Sequence, residues 1–176
     1  GMQNKGIHPD ITLPSTWDIE EIGESSLDSA LPWDEIKPIN FQKFFMESSS
    51  ISQLNDEHLI RVNQSPNLQY ILDLRKRYDI QKNKKNISLN LANRIIEKKE
   101  RQSWVLDIEN KRRASLDLEV FDSYEALEDY NDAKEAESDD KDLEIDVDND
   151  YLLNEGVQIL SDFTIFNNKI YFSKAS

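Results

Sequence analysis

The sequence contains no cysteine, four glycines and two histidines in 176 residues. The absence of cysteine excludes disulfide frameworks, thiolate zinc sites and cysteine nucleophiles. With so few glycines a phosphate-cradling loop is not expected, and the Walker and dinucleotide-binding patterns are absent. His8 and His58 stand fifty residues apart without paired ligands, so neither a zinc site nor a catalytic histidine is supported. We therefore expect no metal ion and no cofactor.

Long hydrophobic runs are also missing. No apolar stretch approaches the roughly 18 residues of a membrane-spanning helix, and no charged-then-apolar leader is present. We therefore expect neither a transmembrane helix nor a signal peptide in this sequence. Only 38% of the residues are hydrophobic and 32% are charged, so we expect parts of the chain to be unpacked or linker-like.

Charge is arranged in blocks within a chain whose net charge is -14. Residues 61–113 hold 14 Lys and Arg residues against 6 Asp and Glu residues, a net charge of +8, and the flanking segments are acidic. The overall acidity opposes nucleic-acid binding, so we interpret the basic cluster as a surface for acidic arms or for a protein partner. The cluster consists of Arg75, Lys76, Arg77, Lys82, Lys84 and Lys85.

The periodicity of the central region is that of helices. Ser50 and Gln53 have the spacing of a capping box, which predicts a helix start. Ser65-Pro66 supplies an N-cap followed by proline at the first helical position, so a second helix follows at once. A third, long helix is predicted over Ser88–Arg113, with a strand at Asn86–Leu91 as the alternative.

The remaining segments carry weaker signals. Alternating apolar residues at 116–120 allow a short strand before a helix at Tyr124–Tyr130. The run 135–150 contains nine acids and one Lys, which predicts a linker. It is no calcium loop, because Tyr151 and Val157 stand where that loop needs Gly and Glu. A final helix is predicted over Tyr151–Phe163, followed by a hairpin at Ile165–Phe172.

Two short motifs near the N-terminus carry a family resemblance. In Lys5–Pro14, a glycine, a β-branched residue and a Pro-Asp pair precede a short apolar strand that ends in proline. The motif Leu-Pro-Trp-Asp follows at Leu31–Asp34. The first resembles the closing strand of the core of C-terminal-processing (tail-specific) serine proteases, and the second resembles a motif of their larger, periplasmic subgroup. The segment Asn86–Asn90 also resembles this family.

The position of the first motif determines what the resemblance implies. The family has a PDZ domain and a catalytic core with a Ser-Lys pair, and both catalytic residues lie upstream of the Gly-x-x-Pro-Asp strand. No residue of this chain is therefore assigned as catalytic, and the chain is expected to be inert alone. A strand at Ile7–Leu13 has no partner nearby in sequence, so it is expected to need the core's sheet or a neighbouring molecule's edge.

We therefore expect the chain to be the C-terminal region of a periplasmic tail-specific serine endopeptidase, excised without its PDZ and catalytic domains. Its expected role is to support the core, to shape the substrate enclosure, or to dock an adaptor or substrate. The alternative is an independent protein-interaction module that uses the basic helical surface. The residues expected to contact the core are Gly6, Ile7, Pro9, Asp10, Ile11, Leu13, Leu31, Pro32 and Trp33.

The expected fold class is mainly α, a bundle-like helical domain with a short N-terminal strand and a C-terminal hairpin, with α+β as the alternative. The expected segments are a core strand at 1–14, a connector at 15–49, a helical domain at 50–134, an acidic linker at 135–150, and a terminal helix and hairpin at 151–176.

Overall fold

The computed structural model describes residues 9–16, 23, 26–30, 40, 48–139, 147 and 150–174. Within these residues the chain is mainly α-helical, as the sequence predicts, and no strand is present. The helices are α1 (Ser48–Gln64), α2 (Pro66–Lys82), α3 (Leu91–Ser115), α4 (Tyr124–Asp139) and α5 (Tyr151–Lys174). They belong to two compact units, one formed by Gly1–Asn63 with Leu152–Ser176 and the other by Gln64–Tyr151.

In the first unit, α1 buries one face. Ser50, Leu54, His58 and Val62 are all buried, and they recur every four residues, which places them in one row along the helix. Helix α5 contributes Glu155, whose carboxylate accepts a hydrogen bond from Arg61 and contacts His58. Polar contacts therefore join two helices that are far apart in the sequence.

The second unit is built on an antiparallel pair of helices. Arg112, near the end of α3, donates a hydrogen bond to Asn67 near the start of α2. At the other end of the pair, Arg77 of α2 stacks on Trp104 of α3, with 5.3 Å between the guanidinium carbon and the ring centre. Leu68 and Ile71 supply the buried apolar side chains of α2.

Both helix starts in this pair are capped, the first as the sequence predicts and the second three residues after the predicted start at Ser88. Ser65 is the N-cap of α2, where its hydroxyl accepts the Leu68 N–H at 3.4 Å, and Pro66 occupies the first helical position. Asn90 caps α3 by accepting the N–H groups of Ala92 and Asn93. Such caps satisfy backbone donors that have no partner inside the helix.

Helix α3 ends where the sequence suggests a short strand, and that suggestion is wrong. The N–H of Leu118 donates to the carbonyl of Arg113, and the N–H of Asp117 donates to that of Ala114. Asp117 has a φ of 55°, so the two bonds and the left-handed residue form a Schellman motif. Residues 116–120 thus terminate α3. They form no strand, although apolar side chains alternate along them.

The connection between α3 and α4 is held by a side chain of α3. The amide of Asn110 donates to the carbonyl of Phe121 and accepts from its N–H, both at 2.8 Å. The Arg113 guanidinium lies over the Phe121 ring at 4.4 Å. Leu127 of α4 is buried, whereas residues 128–136 are exposed. Helix α4 is thus anchored near its start, by Leu127 and by the Tyr130 ring, which lies 5.3 Å from the Phe121 ring.

Of three further strand expectations, two differ from the structure. The hairpin at Ile165–Phe172 is wrong, because α5 continues through it; no Gly or Pro follows Gly156, and an isolated hairpin is marginally stable. Residues 9–13 form no strand among the described residues. The expectation that Ile7–Leu13 pairs with the sheet of a protease core stays a prediction. The alternative strand at Asn86–Leu91 is absent as well, since α3 begins at Leu91.

The acidic run 135–150 begins within a helix. Helix α4 extends to Asp139, because Glu and Ala are good helix formers. Of the remainder, the structure describes only Val147 and Asp150. Helix α1 begins at Ser48, two residues before the predicted capping box.

Candidate protein-interaction site

The residues predicted to contact a protease core lie mostly outside the described part of the chain. Gly6, Ile7 and the motif residues Leu31, Pro32 and Trp33 are among those not described. In the described segment 9–16, Pro9 and Asp10 are exposed, and Ile11 and Leu13 are half-buried. Their role as core contacts stays a prediction.

All six residues of the predicted basic cluster lie in the described part of the chain, and the structure places them in different surroundings. Arg75 pairs with Asp79 at 3.0 Å, and Lys76 pairs with Asp73 at 2.9 Å, so part of their charge is neutralised along α2. Arg77 and Lys84 line a cleft, whereas Lys82 and Lys85 are exposed outside it. The six residues therefore do not act as one continuous basic face.

The cleft lies at the end of the antiparallel pair. Its walls come from the last turns of α2, the connection 83–90 and the first half of α3, and its volume is about 550 Å3. We call it the α2–α3 cleft. Residues of its lining carry five cations and two carboxylates. They are Arg77, Lys84, Arg94, Lys98, Arg101, Glu97 and Glu100.

Glu97 organises the positive charge at this cleft. It accepts a hydrogen bond from Lys84 at 2.6 Å and another from Arg94 at 2.5 Å. The hydrogen bond from Lys84 lowers the pKa of Glu97, with a further contribution from Arg94. Lys98 and Arg101 have no ion-pair partner within the described part of the chain. Two cations at the rim therefore remain for a ligand.

Apolar side chains are exposed at the same end of the α2–α3 pair. Leu89 is 98% exposed, Leu91 74% and Ile87 63%. Ile87, Leu91 and Ile95 line the cleft itself. Monomeric proteins rarely leave clustered aliphatic side chains in water unless the surface binds something. The cleft therefore combines an apolar lining with a cationic rim.

The basic cluster predicted from the sequence covers only the α2 side of this site. Arg94, Lys98 and Arg101 belong to the basic block at 61–113 but not to the predicted cluster. Their spacing of four and then three residues places them on one helix face, which is the signal that could have found them. The structure brings this face against Arg77 and Lys84.

The first unit contains a second polar cluster of a different kind. His58 is 2% exposed, Glu155 is 6% exposed, and 2.8 Å separates His58 Nδ1 from Glu155 Oε1. Arg61 also donates to Asp162 at 2.7 Å. Burial of Arg61 lowers its pKa, but hydrogen bonds to Glu155 and Asp162 outweigh this effect, so the pKa of Arg61 is raised above its ordinary value. His58 and Glu155 are shielded from solvent, whereas Arg61 is 26% and Asp162 23% exposed. A buried carboxylate held by two helices suits a structural role.

The described residues contain neither a metal-binding cluster nor a membrane-spanning helix. Among them, no group of three or more His, Cys, Asp or Glu side chains is placed to hold a metal ion. None of the described helices is long and apolar enough to cross a membrane. What these residues do form is a set of helices with a basic and apolar cleft between α2 and α3.

Comparison with known proteins identifies the family. Residues 17–164 match the family described as "C-terminal domain of tail specific protease (DUF3340)", and the chain belongs to this family. The motif at Leu31–Asp34 lies within the match, whereas Lys5–Pro14 precedes it. The resemblance inferred from the motifs is thus confirmed at family level.

A curated relative places the domain within a longer protein. The tail-specific protease of Haemophilus influenzae is 28% identical over 179 residues, which cover 99% of this chain and 23% of the relative. The chain thus spans less than a quarter of that protein's length. No solved structure matches the chain.

Proposed function

We propose that this chain is the non-catalytic C-terminal region of a periplasmic tail-specific serine endopeptidase, which processes or degrades proteins from their C-termini. One observation carries the proposal: the chain matches the family of C-terminal domains of tail-specific proteases over most of its length. The proposed role of the region is to support the catalytic core, to help enclose the substrate, or to dock an adaptor or substrate. The PDZ domain, the Ser-Lys pair and the periplasmic location belong to the proposal.

The contacts of the described serines support a non-catalytic role. The hydroxyls of Ser65, Ser88 and Ser123 accept backbone N–H groups at or just before the starts of α2, α3 and α4. A serine nucleophile instead needs an adjacent base and a pre-organised site for the oxyanion. The hydroxyls of Ser65 and Ser123 are engaged at helix starts, and that of Ser88 is engaged by the N-cap residue of α3.

The charged and aliphatic side chains of the α2–α3 cleft favour an auxiliary role for the second unit. A domain that only linked two other parts would not need a cleft with both cations and aliphatic side chains. The α2–α3 cleft has both. A surface of this kind is typical of protein recognition.

A peptidase assay tests the proposal. The isolated chain is incubated with an unfolded protein substrate, and the full-length protease that contains this sequence is assayed in parallel. We expect cleavage by the full-length enzyme and none by the isolated chain. Cleavage by the isolated chain, abolished by changing one Ser or one Lys within it, would show that the region is itself catalytic and would overturn the proposal.

A further inference from the structure

The α2–α3 cleft has features of a peptide-binding site. We propose that it binds a segment of another polypeptide in which a few aliphatic side chains stand among Asp and Glu residues. This inference specifies a binding site that is complete within this chain, whereas the proposed function names docking only as one of three roles. It can fail while the proposed function holds, and the reverse is also true.

The size of the cleft suits such a ligand. Its volume of about 550 Å3 lies in the ordinary range of ligand-binding pockets, about 300–1,000 Å3. Ile87, Leu91 and Ile95 line it, and Leu91 is 74% exposed. Covering these side chains with aliphatic groups of a partner removes apolar surface from water, which stabilises the complex. Aliphatic side chains of a peptide therefore account for the apolar part of the lining.

The charge of the cleft requires an acidic partner. Five cations against two carboxylates give the lining a net charge of +3, although the whole chain carries -14. Glu97 holds Lys84 and Arg94 in place, while Lys98 and Arg101 have no ion-pair partner in the described residues. Charge complementarity across an interface steers association and rejects partners of the same sign. Asp and Glu side chains beside the aliphatic ones match this rim.

Arg77 adds a fixed cation to the wall of the cleft. Its guanidinium stacks on Trp104, with 5.3 Å between the guanidinium carbon and the ring centre. A stacked guanidinium loses less side-chain entropy when it binds a carboxylate than a mobile one does. The cleft is therefore partly pre-organised for an anionic group.

Two other macromolecules fit the cleft less well. Nucleic-acid sites combine cations with aromatic side chains on which bases stack, and the aliphatic residues in this lining offer no such platform. An anionic bilayer would bring its phosphates against Glu97 and Glu100, and a concave site meets a flat surface poorly. A polypeptide segment can place its carboxylates beside Lys98 and Arg101 and avoid both glutamates.

A binding titration with defined peptides tests this proposal on the 176-residue chain. The probe is a fluorescein-labelled peptide of about a dozen residues in which Leu and Ile alternate with Glu and Asp. One control peptide has Ser in place of Leu and Ile, and a second has Gln and Asn in place of Glu and Asp. We expect saturable binding of the probe by fluorescence anisotropy, weakened about tenfold or more in either control and by raising NaCl from about 50 to about 500 mM.

Variants locate the site. Lys98→Glu with Arg101→Glu reverses the rim charges, and Ile87→Ser with Leu91→Ser removes aliphatic side chains that are already exposed, so both pairs are expected to fold. The matched control is Lys111→Glu with Lys134→Glu, which changes the total charge equally at exposed positions outside the cleft. We expect about tenfold weaker binding in each cleft variant and less than about twofold change in the control.

Four outcomes would overturn the proposal. One is no saturable binding of the probe by the folded chain, and another is equal loss in the cleft and control variants. The third is a dimer, seen in sedimentation velocity, that the cleft substitutions dissolve, because the occupant would then be a second copy. The last is co-sedimentation with phosphatidylglycerol vesicles that depends on Ile87 and Leu91 while the peptide fails to bind, because the occupant would then be a membrane.

Discussion

Buried charge in the first compact unit converges on a single carboxylate, that of Glu155. It accepts hydrogen bonds from Arg61 at 2.9 and 3.1 Å and lies 2.8 Å from His58. The sequence cannot reveal this contact, because 97 residues separate His58 from Glu155 and neither residue belongs to a local pattern. By contrast, the capping role of Ser65 was predictable, since it depends only on its immediate neighbours.

Replacing Glu155 with glutamine tests the importance of this carboxylate. Glu155→Gln keeps the side-chain volume but removes the buried carboxylate, 6% exposed, that pairs with Arg61 and contacts His58. Arg61 then keeps only Asp162 as a charged partner among the described residues. We expect the free energy of unfolding to fall by about 1–3 kcal/mol, measured by urea denaturation followed by circular dichroism. The matched control, Glu128→Gln, changes an exposed glutamate and should shift the free energy of unfolding by less than about 0.5 kcal/mol. Equal effects of the two substitutions would contradict a structural role for Glu155.

The ionisation of Tyr70 is expected to make the free energy of unfolding depend on pH in the alkaline range. Burial raises the pKa of Tyr70, and the nearby charge of Glu109 raises it further. Because the folded-state pKa is raised, the contribution of Tyr70 to stability is fully present below its unfolded value, about 10, and is lost as the pH rises through its folded value. We expect Tyr70→Phe to lose less stability than the wild type between about pH 9 and about pH 11.

The control for Tyr70→Phe is the same pair of proteins compared at pH 7, where both phenol and phenyl are uncharged and only the hydroxyl differs. Urea denaturation at pH 7 and in the alkaline range gives the difference in free energy of unfolding between the two proteins at each pH. Parallel stability curves over the alkaline range would show that ionisation of Tyr70 is not linked to folding.

At the scale of elements, helix boundaries were predictable where local chemistry decides them. The Ser65-Pro66 start of α2 follows from two adjacent residues, and the structure has it there. The hairpin predicted at Ile165–Phe172 is wrong, because β-branched and aromatic residues favour strands only when a partner strand is present. Nothing in that local sequence breaks a helix, so α5 continues through it.

The end of α3 gives a prediction about backbone conformation. Asp117 has a φ of 55°, and the left-handed region costs a non-glycine residue about 1–2 kcal/mol, somewhat less for Asp. Asp117→Gly should therefore raise the free energy of unfolding by about 0.5–1 kcal/mol, as measured by urea denaturation. Asp117→Asn serves as the control, because it removes the charge and keeps the Cβ. A Gly variant no more stable than the Asn variant would mean that the backbone there is not strained.

At the scale of the whole molecule, two short sequence motifs are sufficient to indicate the family. Leu31–Asp34 lies within the residues that match the C-terminal domain of tail-specific proteases. The α2–α3 cleft was not predictable in the same way, since it depends on the register of two helices across the connection 83–90. The basic side chains are visible in the sequence, but only the packing of α2 against α3 shows which of them share a site.

The central claim is that this region supports a protease whose catalytic residues lie elsewhere, and complementation in trans tests it most directly. The protease lacking residues that correspond to this chain is assayed on an unfolded protein substrate, alone and after addition of the separately produced chain. We predict that the truncated enzyme is impaired, that the added chain binds it and restores part of the activity, and that the chain alone cleaves nothing. Full activity of the truncated enzyme, unchanged by the added chain, would contradict the account.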